Sequence, residues 1–199
     1  MIVYGASGHG KVIIEILEAL GKCVDFVVDD NPALVELLGY EVRRNTGIYK
    51  EAVVAIGSCQ IRKKVVEELQ VEKWLTVIHP TAVISSRADI GEGSVVMPNA
   101  VVNSCTGIGR HCIINTGATV DHDCRIGNFV HIAPGVHISG GVTVGDGTWI
   151  GVGACVKQGV KIGKGCMVGA GAVVVNDIPD GITAMGVPAE DIQLKKYKI

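Results

Sequence analysis

The hydrophobic positions of the chain change their spacing near residue 75, which divides the sequence into two parts. In the second part, every sixth residue is Ile or Val, and the phase never slips. Two positions before each of these residues, from residue 84 onward, stands Ala, Ser, Thr, Cys or Val. The large residues of this series are Ile78, Ile84, Ile90, Val96, Val102, Ile108, Ile114, Val120, Ile126, Ile132, Ile138, Val144, Ile150, Val156, Ile162, Val168 and Val174.

A period of six fits neither an α-helix nor a simple strand, whose side chains repeat every ~3.6 and every two residues. It fits a triangular coil in which three six-residue faces make one turn, with a large aliphatic residue of each face pointing inward. Glycines recur at the matching spacing of 18 residues, at Gly91, Gly109, Gly127, Gly145 and Gly163. Successive coils can stack by parallel strand pairing. We therefore predict a parallel β-helix of hexapeptide repeats over 76–199, including a C-terminal tail, rather than a β-sandwich.

Residues 1–75 predict a different unit, a Rossmann-like β-α-β domain. "MIVYG" is typical of a strand, "KVIIEILEALG" of an amphipathic helix and "CVDFVVDD" of a second strand. "EAVVAIGS" predicts a further buried strand, and "QIRKKVVEELQ" a second helix. The segment "KWLTVIHPTAVI" joins this domain to the first coil.

The turn between the first strand and the first helix is glycine-rich, with the sequence "GASGHG". A helix N-terminus offers free N–H groups to an anion, although a tight turn here also has a purely structural use. The glycines follow G-x-x-G-x-G and not the dinucleotide fingerprint G-x-G-x-x-G. Asp29 and Asp30 end the second strand, where acids of related folds meet a ribose or sugar hydroxyl. Gly57 follows the next strand and would let a ligand approach the same edge.

Composition excludes several classes of function. The 18 basic and 20 acidic residues create no strong field for nucleic acid or a membrane surface. No apolar run is long enough to cross a bilayer, and the chain enters a strand without a charged leader. The seven cysteines contain no C-x-x-C pair and are an odd number, which is typical of reduced thiols. We therefore expect a cytoplasmic protein without membrane insertion.

The segments "YGASGHGK", "DD", "AIG", "IHPTAVI", "VDHDC", "GNFVHIAPG" and "GVPA" together resemble the bacterial sugar-nucleotide acetyltransferases, within the hexapeptide-repeat acyltransferases. That resemblance implies a left-handed β-helix, a homotrimer with sites between neighbouring prisms, and acetyl-CoA as co-substrate with no metal. It implies a nucleotide-activated amino sugar as acceptor, with a UDP-linked 4-amino-4,6-dideoxysugar preferred. It also implies that the first domain holds this sugar through Ser7, Gly8, His9, Asp29, Asp30 and Gly57.

The stretch "VDHD" carries the candidate general base. A sugar amine must lose a proton to form an amide, and a neutral histidine suits that task near pH 7. The resemblance implies that His122 is the base and that Asp123 orients it, where many relatives have Glu. Neighbours on a flat strand point to opposite faces, so this pair can bond only at a corner of the prism; otherwise Asp121 takes the orienting role.

Counting 18 residues from His122 reaches Gly140, which should stack on it and leave room for a thioester. The Gly140 N–H could serve the oxyanion. The resemblance places acetyl-CoA against His131, Gly140, Val152 and Ala170. Val152 and Ala170 are again 18 apart, so they form one stripe along the column.

Other functions stay open at this point. An O-acetyltransferase of sialic acid or a related sugar would use the same base. A carbonic-anhydrase-like enzyme would need His122, His131 and His137 around a metal, but their spacings of nine and six residues place them on different faces or corners. A non-catalytic scaffold would leave the His-Asp pair without a purpose. Cys112, Cys124 and Cys166 occupy small inward positions, so we expect direct transfer without an acyl-enzyme.

Overall fold

The computed structural model describes residues 1–192, so the last part of the expected C-terminal tail, 193–199, lies outside the described residues. The first region is a six-stranded sheet with two helices, in the spatial order β3-β4-β2-β1-β5-β6. All its pairings are parallel except the hairpin of β3 and β4. Its elements are β1 (Ile2–Tyr4), α1 (Gly8–Ala19), β2 (Phe26–Val28), β3 (Glu36–Leu37), β4 (Tyr40–Arg43), β5 (Ile48–Val54), α2 (Cys59–Glu68) and β6 (Gln70–Trp74).

Successive side chains of the central strands point to opposite faces of the sheet and pack in two different cores. Val3, Val27 and Val53 pack with α1 on one side of the sheet. On the other side, a second cluster joins the opposite strand positions to Val65 and Leu69 of the α2 segment. The sheet is therefore covered on both faces, which confirms the predicted Rossmann-like region and adds β3, β4 and β6 to it.

The second region is a left-handed parallel β-helix, as predicted. Its two-residue strands are β7 (Val77–Ile78), β8 (Val83–Ile84), β9 (Asp89–Ile90), β10 (Val95–Val96), β11 (Val101–Val102), β12 (Gly107–Ile108), β13 (Ile113–Ile114), β14 (Thr119–Val120), β15 (Arg125–Ile126), β16 (His131–Ile132), β17 (His137–Ile138), β18 (Thr143–Val144), β19 (Trp149–Ile150), β20 (Cys155–Val156), β21 (Lys161–Ile162), β22 (Met167–Val168) and β23 (Val173–Val174). Two further strands, β24 (Thr183–Met185) and β25 (Glu190–Asp191), extend one sheet beyond the periodic segment.

The coil has three faces, which we number by their first strands. The first face begins with β7, the second with β8 and the third with β9. Along the periodic segment, each strand pairs with the strand 18 residues on, as in Val101↔Thr119 and Val102↔Val120. The inward members of these pairs form one continuous aliphatic core, completed by the small residues at the corners.

The first face of the β-helix carries the N-terminal domain. The outward residues Val77, Val95 and Ile113 are fully or almost fully buried against α1, in the same apolar cluster as Val3 and Leu17. The two domains thus share a core. Within residues 1–192 no helix is both long and apolar enough to cross a membrane.

The glycines at 18-residue spacing lie where successive coils approach at the corner between the third and first faces. A Cβ added to Gly109 would lie 2.6 Å from the backbone of Gly127 in the next coil. A Cβ on Gly107, two residues earlier, meets nothing within 4 Å. The sequence repeats glycine at this corner because the backbones there leave no space for a methyl group.

These two glycines give a matched test of the stacking. We expect Gly109→Ala to lower the free energy of unfolding by about 1–3 kcal/mol, the usual cost of overpacking. Gly107→Ala should be neutral or slightly stabilising, because the site is open and alanine restricts the unfolded chain. Urea unfolding of both variants checks this, and equal midpoints would contradict the close approach of the coils.

Candidate active site

The pair His122–Asp123 lies at the corner between the second and third faces, in the turn from β14 to β15. Asp123 has a φ of +59°, a left-handed conformation that aspartate tolerates better than most residues. The backbone turns sharply here, so two neighbouring side chains can meet. His122 Nδ1 lies 2.8 Å from Asp123 Oδ2.

This contact defines the protonation of the ring. A carboxylate can only accept, so Nδ1 carries the proton and donates it, and Nε2 is left as the atom that can take a proton. The hydrogen bond to Asp123, and then the charge of Asp121, raise the pKa of His122 above its ordinary value. The side chain of His122 is 54% exposed, so this candidate base is accessible from solvent.

Asp121 supports the same corner through the backbone. Its Oδ1 accepts the His122 N–H at 2.8 Å and the side-chain N–H of Asn103 at 2.9 Å. These hydrogen bonds lower the pKa of Asp121. The ring of His122 is therefore contacted by Asp123, while Asp121 holds the backbone of the corner.

Gly140 lies directly beside the His122 ring, one coil further on. A Cβ at position 140 would lie 2.6 Å from Cε1 and 2.7 Å from Nε2 of His122. The N–H of Gly141 donates to the His122 carbonyl oxygen at 2.8 Å, which keeps the two corners in register. Only glycine at position 140 leaves the edge of the ring open at Nε2.

Val152 and Ala170 lie on another corner, between the first and second faces. The N–H of Gly171 donates to the Val152 carbonyl oxygen at 2.8 Å, so the two residues stack as one stripe. Both are exposed, Val152 at 55%. Within one chain the structure therefore does not bring this stripe together with His122.

His131 is on the first face, at the junction with the N-terminal domain, and only 5% exposed. Its Nδ1 donates to the Gly57 carbonyl oxygen at 2.9 Å, and Nε2 is 3.1 Å from Asn115 Nδ2. Burial lowers the pKa of His131 to about 4, so the ring is neutral at pH 7. The structure joins His131 to Gly57 and separates it from the corner of His122.

The remaining predicted residues converge at the carboxyl edge of the N-terminal sheet, around β1, β2 and β5. Ser7 and Gly8 are exposed at the start of α1. Asp29 accepts the Ala6 N–H at 2.8 Å, which ties the end of β2 to the glycine turn. Asp30 Oδ2 accepts the hydroxyl of Tyr4 at 2.7 Å.

His9 lies deeper in the same edge. Its Nε2 is buried and has no hydrogen-bond partner within the described part of the chain. Burial and the nearby charge of Arg62 lower the pKa of His9 to about 4. Its ring lies 6.4 Å from that of His131, so the sugar-site candidates extend to the junction between the domains.

Two residues at this junction were missed by the sequence analysis, Asn115 and Arg62. Arg62 is 1% exposed although it lies in a charged helix. A signal was available: Cys59, Arg62 and Val65 recur at three-residue spacing and share the buried stripe of α2. Asn115 carried no periodic signal, because the residues 18 positions before and after it are Met97 and Ala133.

The metal arrangement of a carbonic-anhydrase-like enzyme does not form within one chain. His122 is at a corner, His131 on the first face and His137 on the second. Across residues 1–192 no group of three or more His, Cys, Asp or Glu side chains could hold a metal ion. The seven cysteines are all free, and four of them are buried.

Comparison with known proteins gives a family match in each of the two regions. Residues 1–69 match the family model described as the PglD N-terminal domain, and residues 141–176 match that of the bacterial transferase hexapeptide. The chain is 38% identical over 109 residues to the UDP-N-acetylbacillosamine N-acetyltransferase of Bacillus subtilis, and this match covers 47% of the chain. The matched part spans 49% of that curated relative, about half of its length.

Solved structures extend the similarity to nearly the whole chain. PerB from Caulobacter crescentus, in complex with CoA and GDP-perosamine, is 41% identical with a TM-score of 0.88, covering 96% of this chain and 95% of that one. The acetyltransferase domain of PglB from Neisseria gonorrhoeae, in complex with acetyl coenzyme A, is 40% identical with a TM-score of 0.88, covering 96% and 98%. The fold and these matches are those of the hexapeptide-repeat acyltransferases. Within that class, the chain belongs to the sugar-nucleotide acetyltransferase family.

The contact between His122 and Asp123 generates a pH prediction. A general base acts when it is neutral, so the rate should rise with pH through the raised pKa of His122. Asp123→Asn removes the carboxylate whose hydrogen bond is the largest cause of the raised pKa of His122. The rising limb of the kcat/KM profile should therefore move to lower pH, and kcat should fall.

Asp89→Asn is the matched control, since it removes an equal charge from the outer side of the third face. Its profile should keep the position of the wild-type limb. If the rising limb of the kcat/KM profile of Asp123→Asn lies at the same pH as in the wild type, Asp123 does not set the pKa of His122.

Proposed function

We propose that the protein transfers an acetyl group from acetyl-CoA to the 4-amino group of a nucleotide-linked amino sugar, with a UDP-4-amino-4,6-dideoxysugar as the preferred acceptor. The observation that carries this proposal is the His122–Asp123 pair, whose Nε2 edge is left open by Gly140. The relatives named above, which include a complex with CoA and GDP-perosamine, support the donor and the class of acceptor. We expect the reaction to take place in the cytoplasm.

The geometry allows direct transfer without an acyl-enzyme. The sugar amine attacks the thioester carbonyl carbon, and His122 Nε2 takes the proton that the nitrogen loses as the C–N bond forms. Asp123 holds the Nδ1 proton and stabilises the imidazolium. The tetrahedral intermediate then breaks its C–S bond, and the CoA thiolate leaves and takes a proton from the imidazolium. The N–H of Gly140 is the candidate donor to the oxyanion.

The site needs more than one copy of the chain. In a triangular prism, the corner between the second and third faces is opposite the first face. His122 is at that corner, whereas the first face carries the N-terminal domain with Asp29 and Gly57. An acceptor held by one copy therefore reaches His122 of a neighbouring copy.

The outer residues of the faces support a homotrimer in which the second face meets a neighbour. Val83, Thr119 and Cys155 project from the second face without charge. The third face presents charged side chains at the corresponding positions, namely Asp89, Arg125 and Lys161. Uncharged surface is what an interface core favours. The stripe of Val152 and Ala170, at the edge of the second face, would then lie beside the neighbour and take the pantetheine arm.

A screen of nucleotide sugars for CoA release tests this function. It should compare UDP- and GDP-linked 4-amino sugars, their 4-hydroxyl counterparts and CMP-sialic acid, with thiol release as the readout. Fast release with a 4-amino sugar supports N-acetylation. Release only with hydroxyl acceptors would show an O-acetyltransferase, and no release with any of them would favour the scaffold.

His122→Ala should remove the base and lower kcat by about 10²–10⁴-fold, the usual contribution of general-base catalysis. The KM for acetyl-CoA should change little, because the other contacts stay in place. His79→Ala is the control, because within residues 1–192 the His79 ring forms hydrogen bonds only with the nearby Thr81. Near-normal kcat in His122→Ala, with the assembly intact, would place the base elsewhere.

Mixed oligomers test the sharing of the site between copies. His122→Ala lacks the base, and Asp29→Ala lacks a contact of the sugar domain. If each site combines two copies, random trimers of the two variants should recover function in about a quarter of their sites. Assay of the co-expressed variants at low acceptor concentration checks this. Activity no higher than that of the separate variants would show that each chain forms its own site.

A further inference from the structure

Arg62 is a buried cation that pairs with no acid of the described residues 1–192. Its side chain is 1% exposed, and no carboxylate among residues 1–192 lies within ion-pair distance. Its partners are instead carbonyl oxygens and one thiol. Nη1 donates to Ile56 and Gly57, Nε to His111, and Nη2 to Phe129, Val130 and Cys59, with nitrogen–oxygen distances of 2.8–3.3 Å.

These carbonyl groups belong to two domains. Ile56 and Gly57 follow β5, at the edge that carries the sugar-site candidates. The carbonyl groups of His111, Phe129 and Val130 belong to two successive coils of the β-helix. A single guanidinium therefore joins the end of β5 to the β-helix. The Gly57 carbonyl oxygen accepts a second hydrogen bond, from His131 Nδ1 of the β-helix, so both of its lone pairs are used and one of the two bonds crosses the junction.

General stability gives no reason for an arginine at this position. A buried charge loses its hydration, and apolar residues of similar volume often stabilise a core as well or better. Arginine does provide five donors in a rigid planar fork that stays charged. That geometry fixes several carbonyl groups at set distances and angles, which neither lysine nor an apolar side chain can do.

We propose that Arg62 is a positioning residue for the acceptor sugar, because it fixes the Ile56–Gly57 segment of the nucleotide-sugar domain on the coils at His111 and Phe129–Val130. The inference rests on the proposed function. The base comes from a neighbouring copy, so the orientation of this domain on its own β-helix sets where the sugar amine meets His122. A displacement of about 1 Å at the reacting atoms can cost about 100-fold in rate.

Arg62→Lys tests the proposal. Its ammonium keeps the charge but cannot reach both sets of carbonyl groups. We expect kcat/KM for the nucleotide sugar to fall by about 10- to 100-fold, with the KM for acetyl-CoA unchanged. The matched control is Val65→Ala, on the same helix. The Val65 side chain packs in the core between α2 and the sheet and contacts none of the carbonyl groups that Arg62 binds, so its truncation leaves a cavity away from those contacts. Its kinetic constants should stay near those of the wild type at a temperature well below both unfolding transitions.

Two results overturn the proposal. One is an acceptor kcat/KM in Arg62→Lys that equals the wild-type value. The other is an equal loss in Val65→Ala, which would reduce Arg62 to a stabilising residue. If Arg62→Lys does not fold, amide hydrogen exchange in the wild-type protein replaces it. Binding of the nucleotide sugar should slow exchange at residues 111–113 and 129–131 across the junction, and unchanged exchange there also overturns the proposal.

The wild-type protein in the same experiment tests the proposed function separately. A wild-type protein that releases no CoA with any nucleotide amino sugar contradicts the acetyltransferase activity. A wild-type protein that turns over, with no selective acceptor defect in Arg62→Lys, contradicts only the positioning role.

Discussion

The β-helix depends on one constraint, which is that each residue stacks on the residue 18 positions before it. Backbone pairing sets this register, and side chains then repeat it, as in the hydrogen bond of Asn103 to Asp121. The candidate site is built from the same register. Gly140 opens the space beside His122 because it is the residue stacked there, and its neighbour Gly141 donates to the His122 carbonyl. The position of the candidate base relative to Gly140 is thus set by the 18-residue spacing of the sequence.

The same prism also supports the proposal that the acceptor and the base come from two copies of the chain. Three faces are available, and the first is occupied by the N-terminal domain, whose apolar cluster includes Val95 and Ile113 of the β-helix. The corner with His122 is opposite that face. A rigid column cannot bend to bring the two together, so the proposed reaction depends on a neighbour. In that arrangement, the rate of the proposed reaction depends on the angle between the N-terminal domain and its own β-helix. The contacts of Arg62 and His131 with Gly57 would fix this angle in addition to stabilising the fold.

The sequence predicted the β-helix well because its core demands a large aliphatic residue at every sixth position, and nothing in the coil competes with that pattern. The central strands and both helices of the first domain were also predicted, from long apolar runs. The hairpin of β3 and β4 was not, because Glu36–Leu37 and Tyr40–Arg43 are short and mostly exposed. β6 was missed because none of its five residues is buried, so it contains no buried apolar run. The sequence analysis did not single out Arg62 within the predicted second helix, and charged residues are rarely buried without an acid. Its carbonyl partners on the β-helix come from residues 49 and 67–68 positions away in the chain, so no local pattern in the sequence indicates these contacts.

The histidines with shifted pKa values fall into two environments, and this division bears on which of them can act as a base. His9, His111 and His131 are held by burial at a pKa of about 4, so they stay neutral and gain no proton near pH 7. His131 also uses both ring nitrogens, one toward Gly57 and one toward Asn115, so no lone pair is left for a substrate. His122 is half exposed, donates Nδ1–H to a carboxylate and has its pKa raised. A base must both accept a proton at working pH and present a free nitrogen to the nucleophile. Of these four histidines, His122 alone meets both conditions.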